Sequence, residues 1–166
     1  AYVGALRALR ERDLLRNVRR VGGTSAGAIN AVLLALGYEL DEMKKILSDL
    51  DFNQFLDDDW GVVRDAQRMI DKYGWYKGEY LKSWIGELIR DKTGNVYSTF
   101  NDLKNQGMRD LYLVGTNLST GYYEVFSVEH TPRMRVQDAV RISMSIPLFF
   151  TAVTNLRGDV YVEIGR

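Results

Sequence analysis

Arg20-Val21-Gly22-Gly23-Thr24-Ser25-Ala26-Gly27-Ala28-Ile29-Asn30 reads as a strand, a turn too tight for side chains, and the start of a helix. Ser25 stands at the apex between Gly23 and Gly27, giving G-x-S-x-G, the pattern in which a strained strand-to-helix turn lifts a serine hydroxyl clear of a sheet edge. Each glycine has a steric job in that pattern, because residues flanking so sharp a reversal crowd one another and a missing Cβ admits positive φ. Upstream, Val18 to Val21 is short and half apolar, as a strand feeding the turn should be, with Gly22 and Gly23 marking its end. Downstream, the run from Ala26 to Leu36 is apolar on nearly every face, which predicts a buried helix closed by Gly37. The plainer alternative has Ser25 merely capping that helix through its hydroxyl. A cap alone leaves unexplained why positions 22, 23, 26, 27 and 28 are all small. A phosphate-cradling loop needs a lysine, and none occurs between Arg20 and Lys44; a dinucleotide fingerprint needs glycine where Thr24 stands.

Composition narrows the classes. The chain has 166 residues, 46% of them hydrophobic, which suits one domain with a single core. Its 22 basic and 22 acidic residues balance, so bulk charge offers nothing to a nucleic acid. Without cysteine there is no disulfide framework, thiolate nucleophile or zinc-thiolate site. The longest apolar run is too short to span a bilayer, and no signal peptide is recognisable, which favours a cytoplasmic or membrane-peripheral protein.

Around the central stretch, helical spacing recurs. Val3, Leu6, Leu9 and Leu14 predict an amphipathic first helix packed on one face, and Leu40, Met43, Ile46, Leu47 and Leu50 a surface helix with Asp41 and Glu42 at its front. Residues 51–78 interleave Phe52, Phe55, Trp60, Tyr73, Trp75 and Tyr76 with Asp57-Asp58-Asp59; they read as ordinary helical core or as an excursion receiving an apolar substrate chain. The triple aspartate lacks calcium-loop spacing and reads as a solvated charge run. Glu79 to Lys92 and Phe100 to Gly107 predict two further helices, Leu111 to Thr116 a strand covered on both faces, Tyr122 to Val128 its paired neighbour, Val136 to Ser143 a helix, and Asp159 to Val162 a last strand. Helices alternating with a few strands predict a three-layer α/β/α domain.

A serine at an elbow needs a base. His130 is the only histidine, at the end of a predicted strand, where a surface-loop residue is the plainer reading. The other route is a carboxylate acting directly on Ser25.

The elbow, Gly115-Thr116-Asn117-Leu118 with its following hairpin, and Ala139-Val140-Arg141-Ile142-Ser143-Met144-Ser145-Ile146-Pro147-Leu148-Phe149-Phe150 together resemble the patatin-like phospholipases, almost end to end. The resemblance implies a Ser-Asp dyad that cleaves acyl esters of lipids without histidine, metal or organic cofactor. It implies Ser25 as nucleophile, the Ala26 amide as one oxyanion donor, and Gly23 and Gly27 as the frame of the elbow. The implied substrate is a phospholipid, lysophospholipid or acylglycerol met transiently at a membrane surface. The family's dyad aspartate sits in D-G-G or D-G-A after a strand; here Glu163-Ile164-Gly165-Arg166 follows the last strand, so either Glu163 substitutes for the aspartate or a segment bearing it is missing from the sequence, and the loss of both Asp and its following Gly favours the second. Its glycine-rich oxyanion loop precedes the first helix, just ahead of where Ala1 begins. An oxyanion donor is worth ~3 kcal/mol, so a chain without that loop would be poorly active. A catalytically impaired, lipid-binding relative is the alternative reading.

Overall fold

The computed structural model describes residues 2–50, 75–117, 119–145, 153–154 and 160–162. Most of the aromatic segment, with Asp57 to Asp59, lies outside them, as do Glu163 and the Ile146 to Phe150 part of the proline stretch.

The first helix, α1 (Tyr2–Glu11), is a surface helix with no fully buried residue. Leu6 packs against the core, but Leu9 and Leu14, expected on the same face, are exposed. The helix ends before Leu14 can join its stripe: Asp13 turns with φ 59° and a 3-10 turn follows at Leu15–Asn17. Strand β1 (Arg20–Gly23) includes both glycines rather than stopping before them. A Cβ on Gly22 would press on the Tyr112 carbonyl at 3.3 Å, so the small residue belongs to the strand pairing itself.

The buried helix α2 (Ala26–Ala35) is as apolar in place as in sequence, with Ile29, Val32 and Leu33 essentially inaccessible. It closes on Gly37 at φ 78°, with the Gly37 amide donating to Leu34 and the Tyr38 amide to Leu33, the paired bonds that a left-handed glycine allows. Helix α3 (Leu40–Asp49) follows behind a capping box of Glu39 and Glu42. Helix α4 (Trp75–Thr93) starts earlier than its apolar spacing suggests and buries Leu81, Ile85 and Ile89; α5 (Phe100–Asn105) buries Phe100 and Leu103.

Strand β2 (Asp110–Asn117) is the sheet's hub. Leu111, Leu113, Gly115 and Asn117 are buried, while Tyr112, Val114 and Thr116 are half-buried. Its two faces therefore differ among the described residues, where a continuous apolar run predicted cover on both. The buried face receives α6 (Val136–Ser143), which itself buries seven of its eight residues. Gly115 permits the approach, because a Cβ there would lie 2.6 Å from Ile142 Cγ2 and 2.9 Å from Phe126 Cε2. Helix α4 covers α6 in turn, with Lys82 paired to Asp138 at 2.8 Å.

Register decides what meets at the site. β1 runs parallel to β2, with Arg20 opposite Asp110 and Gly23 opposite Leu113. β3 (Tyr122–Phe126) runs antiparallel, from Phe126 opposite Leu113 to Tyr122 opposite Asn117. β5 (Val160–Val162) is antiparallel too, with Val162 opposite Thr116, and β4 (Val153–Thr154) pairs with β5. Leu113 pairs with both Gly23 and Phe126, and Thr116 with both Val162 and Tyr123, so β1 and β5 occupy the same edge of β2, opposite β3. They meet end to end. Gly23 and Val162 are separated by about 10 Å of strand, three residues at ~3.3 Å each.

Two outcomes follow from this packing. Gly115→Ala overpacks the α6 contact and lowers stability by ~1–3 kcal/mol in urea unfolding. The Asp102 carboxylate, which accepts from the amide and hydroxyl of Thr99 at 2.8 Å each, is held below the ordinary carboxylate pKa by those bonds. A group with a lower pKa folded than unfolded stabilises fully above the unfolded value of about 4 and ceases to as pH falls through the folded one. Asp102→Asn thus costs ~1 kcal/mol near neutrality, and its melting temperature converges on the parent's under strong acid.

Candidate active site

Ser25 sits between the last residue of β1 and the first of α2 with φ 51° and ψ −131°, a conformation that non-glycine residues avoid at a cost of ~1–3 kcal/mol. The positive φ expected of the glycines is carried by the serine; Gly22, Gly23 and Gly27 have none. Although Ser25 stands at the N-cap, its side chain accepts no bond from the helix amides. The capping reading therefore fails, and the hydroxyl is not engaged by the helix it precedes.

Several contacts hold the strained turn. The Ser25 amide donates to Ser143 Oγ at 3.2 Å, and Ser143 Oγ donates to the Val114 carbonyl at 2.7 Å. Thr24 Oγ1 reaches the same carbonyl at 3.4 Å. The Gly27 amide returns to Thr24 O at 2.9 Å and the Ala28 amide to Ser25 O at 2.8 Å. Asn30 Nδ2 holds the Ala26 carbonyl at 3.0 Å. As first residue of α2, Ala26 has an amide with no acceptor inside the helix, and the residue is exposed.

The two motif glycines differ. A Cβ on Gly23 would collide with the carbonyl of Gly27, which is backbone and cannot move aside, whereas on Gly27 it would meet only the Tyr2 hydroxyl at an ordinary 3.6 Å. The serine-rich stretch divides its labour likewise. Ser143 joins the elbow to β2, while buried Arg141 and Ser145 bond each other. Ser143 is the site residue that sequence reasoning missed; its signal was its place in Arg141-x-Ser143-x-Ser145.

His130 is elsewhere. Its Nδ1 lies 2.8 Å from the buried Ser127 Oγ in the turn after β3. The neighbouring Glu129 bonds Tyr112 and pairs with Arg20, where β1 and β2 begin. Ser25 stands where β1 ends, so the structure does not bring the histidine to it. None of the bonds that hold the elbow among the described residues involves a carboxylate. Val162, the last described residue before Glu163, ends β5 facing Gly23 along the same edge of β2.

Residues 1–163 match the family described as patatin-like phospholipase. The chain belongs to that family. Among its relatives are Uncharacterized protein R571 of Acanthamoeba polyphaga mimivirus, 32% identical over all of this chain and 54% of that protein. Uncharacterized protein YqhO of Bacillus subtilis (strain 168) is 31% identical over 92% of this chain and 53% of its own length. The chain thus spans about half the length of these relatives. VipD from Legionella pneumophila has the same fold, with a TM-score of 0.70 at 21% identity over 98% of this chain and 43% of VipD. So does ExoU from Pseudomonas aeruginosa, solved with SpcU, at 0.63 and 23% identity over 89% of this chain and 36% of the ExoU chain. The patatin-like α/β fold expected from the motifs is the fold observed.

For the site, Gly23→Ala is expected to abolish labelling of Ser25 by a fluorophosphonate, whereas Gly27→Ala retains it. Ser143→Ala leaves the Ser25 amide without its acceptor, a loss of ~1–3 kcal/mol. Thermal melting checks that loss, and the labelling rate should fall together with it.

Proposed function

We propose that this chain carries the nucleophile and one oxyanion donor of a lipid acyl hydrolase. The observation that supports it most is the strained, uncapped Ser25 at the elbow of a patatin-like phospholipase fold. In this reading Ser25 Oγ attacks the acyl carbonyl and gives its proton to a carboxylate. The Ala26 amide, at the positive end of α2, faces the oxyanion as it forms. Collapse expels the alcohol of the lipid, which takes the proton back, and water then releases the fatty acid from Ser25 by the same carboxylate's action. In this reading Glu163 stands in for the family's aspartate, and the direction of β5 toward Gly23 supports a base arriving on the chain that follows Val162. The phospholipid, lysophospholipid or acylglycerol is presented at a lipid surface, in a single domain spanning 1–166.

Glutamate at the aspartate position also favours a second reading, a catalytically impaired lipid-binding member of the family. Labelling of the intact protein with a long-chain fluorophosphonate separates the two. Modification lost in Ser25→Ala and retained in His130→Ala supports the hydrolase; a folded protein that stays unlabelled supports the binding protein. If Glu163 is the base, Glu163→Gln lowers ester turnover by ~10²–10⁴ while the protein stays folded.

A further inference from the structure

The described tyrosines differ in their surroundings. Tyr38 is buried, its hydroxyl on the Leu88 carbonyl and Asp91 at 2.9 Å each; Tyr112 bonds Glu129, and the Tyr97 ring lies 4.5 Å from the Arg135 guanidinium. Tyr122 and Tyr123 are different. They are 74% and 73% exposed, the most exposed large hydrophobic residues among those described, and they are consecutive at the start of β3, one on each face of the strand.

Their position is fixed by the register. Tyr122 is opposite Asn117 and Tyr123 opposite Thr116, four and three residues beyond Leu113, where β1 stops and the elbow begins. The β2–β3 hairpin therefore extends past the end of β1 that leads into Ser25, with β5 paired to the same stretch of β2 on its other edge. Tyr2, 56% exposed, places its hydroxyl beside Gly27 at that same end. The described residues of the hairpin are tied together by hydrogen bonds. Asn117 Oδ1 accepts from the Ser119 and Thr120 amides at 2.9 and 3.2 Å, Asn117 Nδ2 donates to Glu124 at 2.8 Å, and Gly121 returns its amide to Asn117 O with φ 77°.

Among the described residues, charge at this end is sparse. Thr24, Ser25, Thr116, Ser119 and Thr120 are neutral, and the Glu124 carboxylate is engaged by Asn117. At the other end Arg16, Arg19, Lys104 and Arg109, with Asp110, line a cavity of about 510 Å³ beside the C-terminal end of α2. A hydrogen-bonded, neutral hairpin carrying two exposed phenols suits the headgroup layer of a bilayer, where an amphipathic ring keeps its body in apolar surroundings and its hydroxyl wet.

We propose that the β2–β3 hairpin, through Tyr122 and Tyr123, seats the Ser25 end of this protein on a zwitterionic lipid surface. The proposal rests on the lipid-hydrolase reading for its choice of partner, and it adds where the protein touches the lipid and that the contact is aromatic rather than electrostatic.

Flotation of the intact protein with phosphatidylcholine vesicles tests it, with Ser25→Ala throughout so that no hydrolysis erodes the vesicles. The protein is expected to float, with little loss at ~0.5 M salt, where exposed charges are screened. Adding Tyr122→Ser and Tyr123→Ser should weaken partitioning about tenfold, whereas Tyr122→Phe with Tyr123→Phe retains it. Arg19→Glu with Lys104→Glu should leave it in place. Failure to float, equal flotation of the double serine variant, or flotation that requires anionic lipid and is lost in the Arg19 and Lys104 variant each overturns the proposal. Should the double serine variant misfold, its single counterparts carry the same comparison. Absence of covalent labelling at Ser25, with tyrosine-dependent flotation intact, would overturn the hydrolase reading and leave the docking surface standing.

Discussion

The hydroxyl of Ser143 accepts from the Ser25 amide and donates to the Val114 carbonyl, and the site depends on that one oxygen. Ser25 is held where a side chain is unwelcome, and a strained residue persists only if its surroundings over-determine it. Three segments far apart in sequence supply the constraint. β1 delivers the turn, β2 offers a carbonyl at its side, and the last residue of α6 bridges them. The bridge in turn requires α6 to lie close on β2. Gly115 allows that approach, and Gly86 does the same for α4 on α6, where a Cβ would crowd Gln137 and Val96. Small residues remote from the serine thus set the position of its backbone.

Much of this was legible in the sequence because it is local. The α2 run of Ala, Ile, Val and Leu buries itself wherever it lies, and Gly37 ends it through backbone bonds that no distant residue influences. Val136 to Ser143 reads as a helix and is one with those same ends. The departures have long-range causes. Which face of β2 is covered depends on where α6 lands, and an apolar hexapeptide looks the same either way. Leu9 and Leu14 share a spacing with Leu6, but the chain turns at Asp13 and nothing described comes to cover them. At the elbow, the motif located the turn correctly and assigned the wrong residue to the strain. Gly23 is required for its lack of volume rather than its torsional freedom, a distinction visible only once Gly27 has returned across it.

The molecule is also polarised along its strands. The ends of β1 and β2 carry the serine, the neutral threonines and the exposed phenols, while their beginnings carry Arg20, Glu129, the histidine and, near by, the basic cavity. A balanced total charge conceals this, because opposite signs cancel in a sum regardless of where they stand. The only histidine is spent on a turn: its ring and backbone, with the amide of Glu129, converge on the Ser127 hydroxyl.

Among the described residues, the meeting of β1 and β5 on one edge of β2 leaves Val114 and Gly115 without a strand partner on that side. In most sheets such an interruption is a weak place, where a carbonyl goes to water or invites another strand. Here the vacancy is a socket. The Val114 carbonyl, spared from the ladder, receives both Thr24 and Ser143. Lengthening β1 or β5 by two residues to heal the ladder would improve the sheet and remove the acceptor on which the serine turn hangs. Backbone pairing and the serine's posture make opposite demands on those two residues.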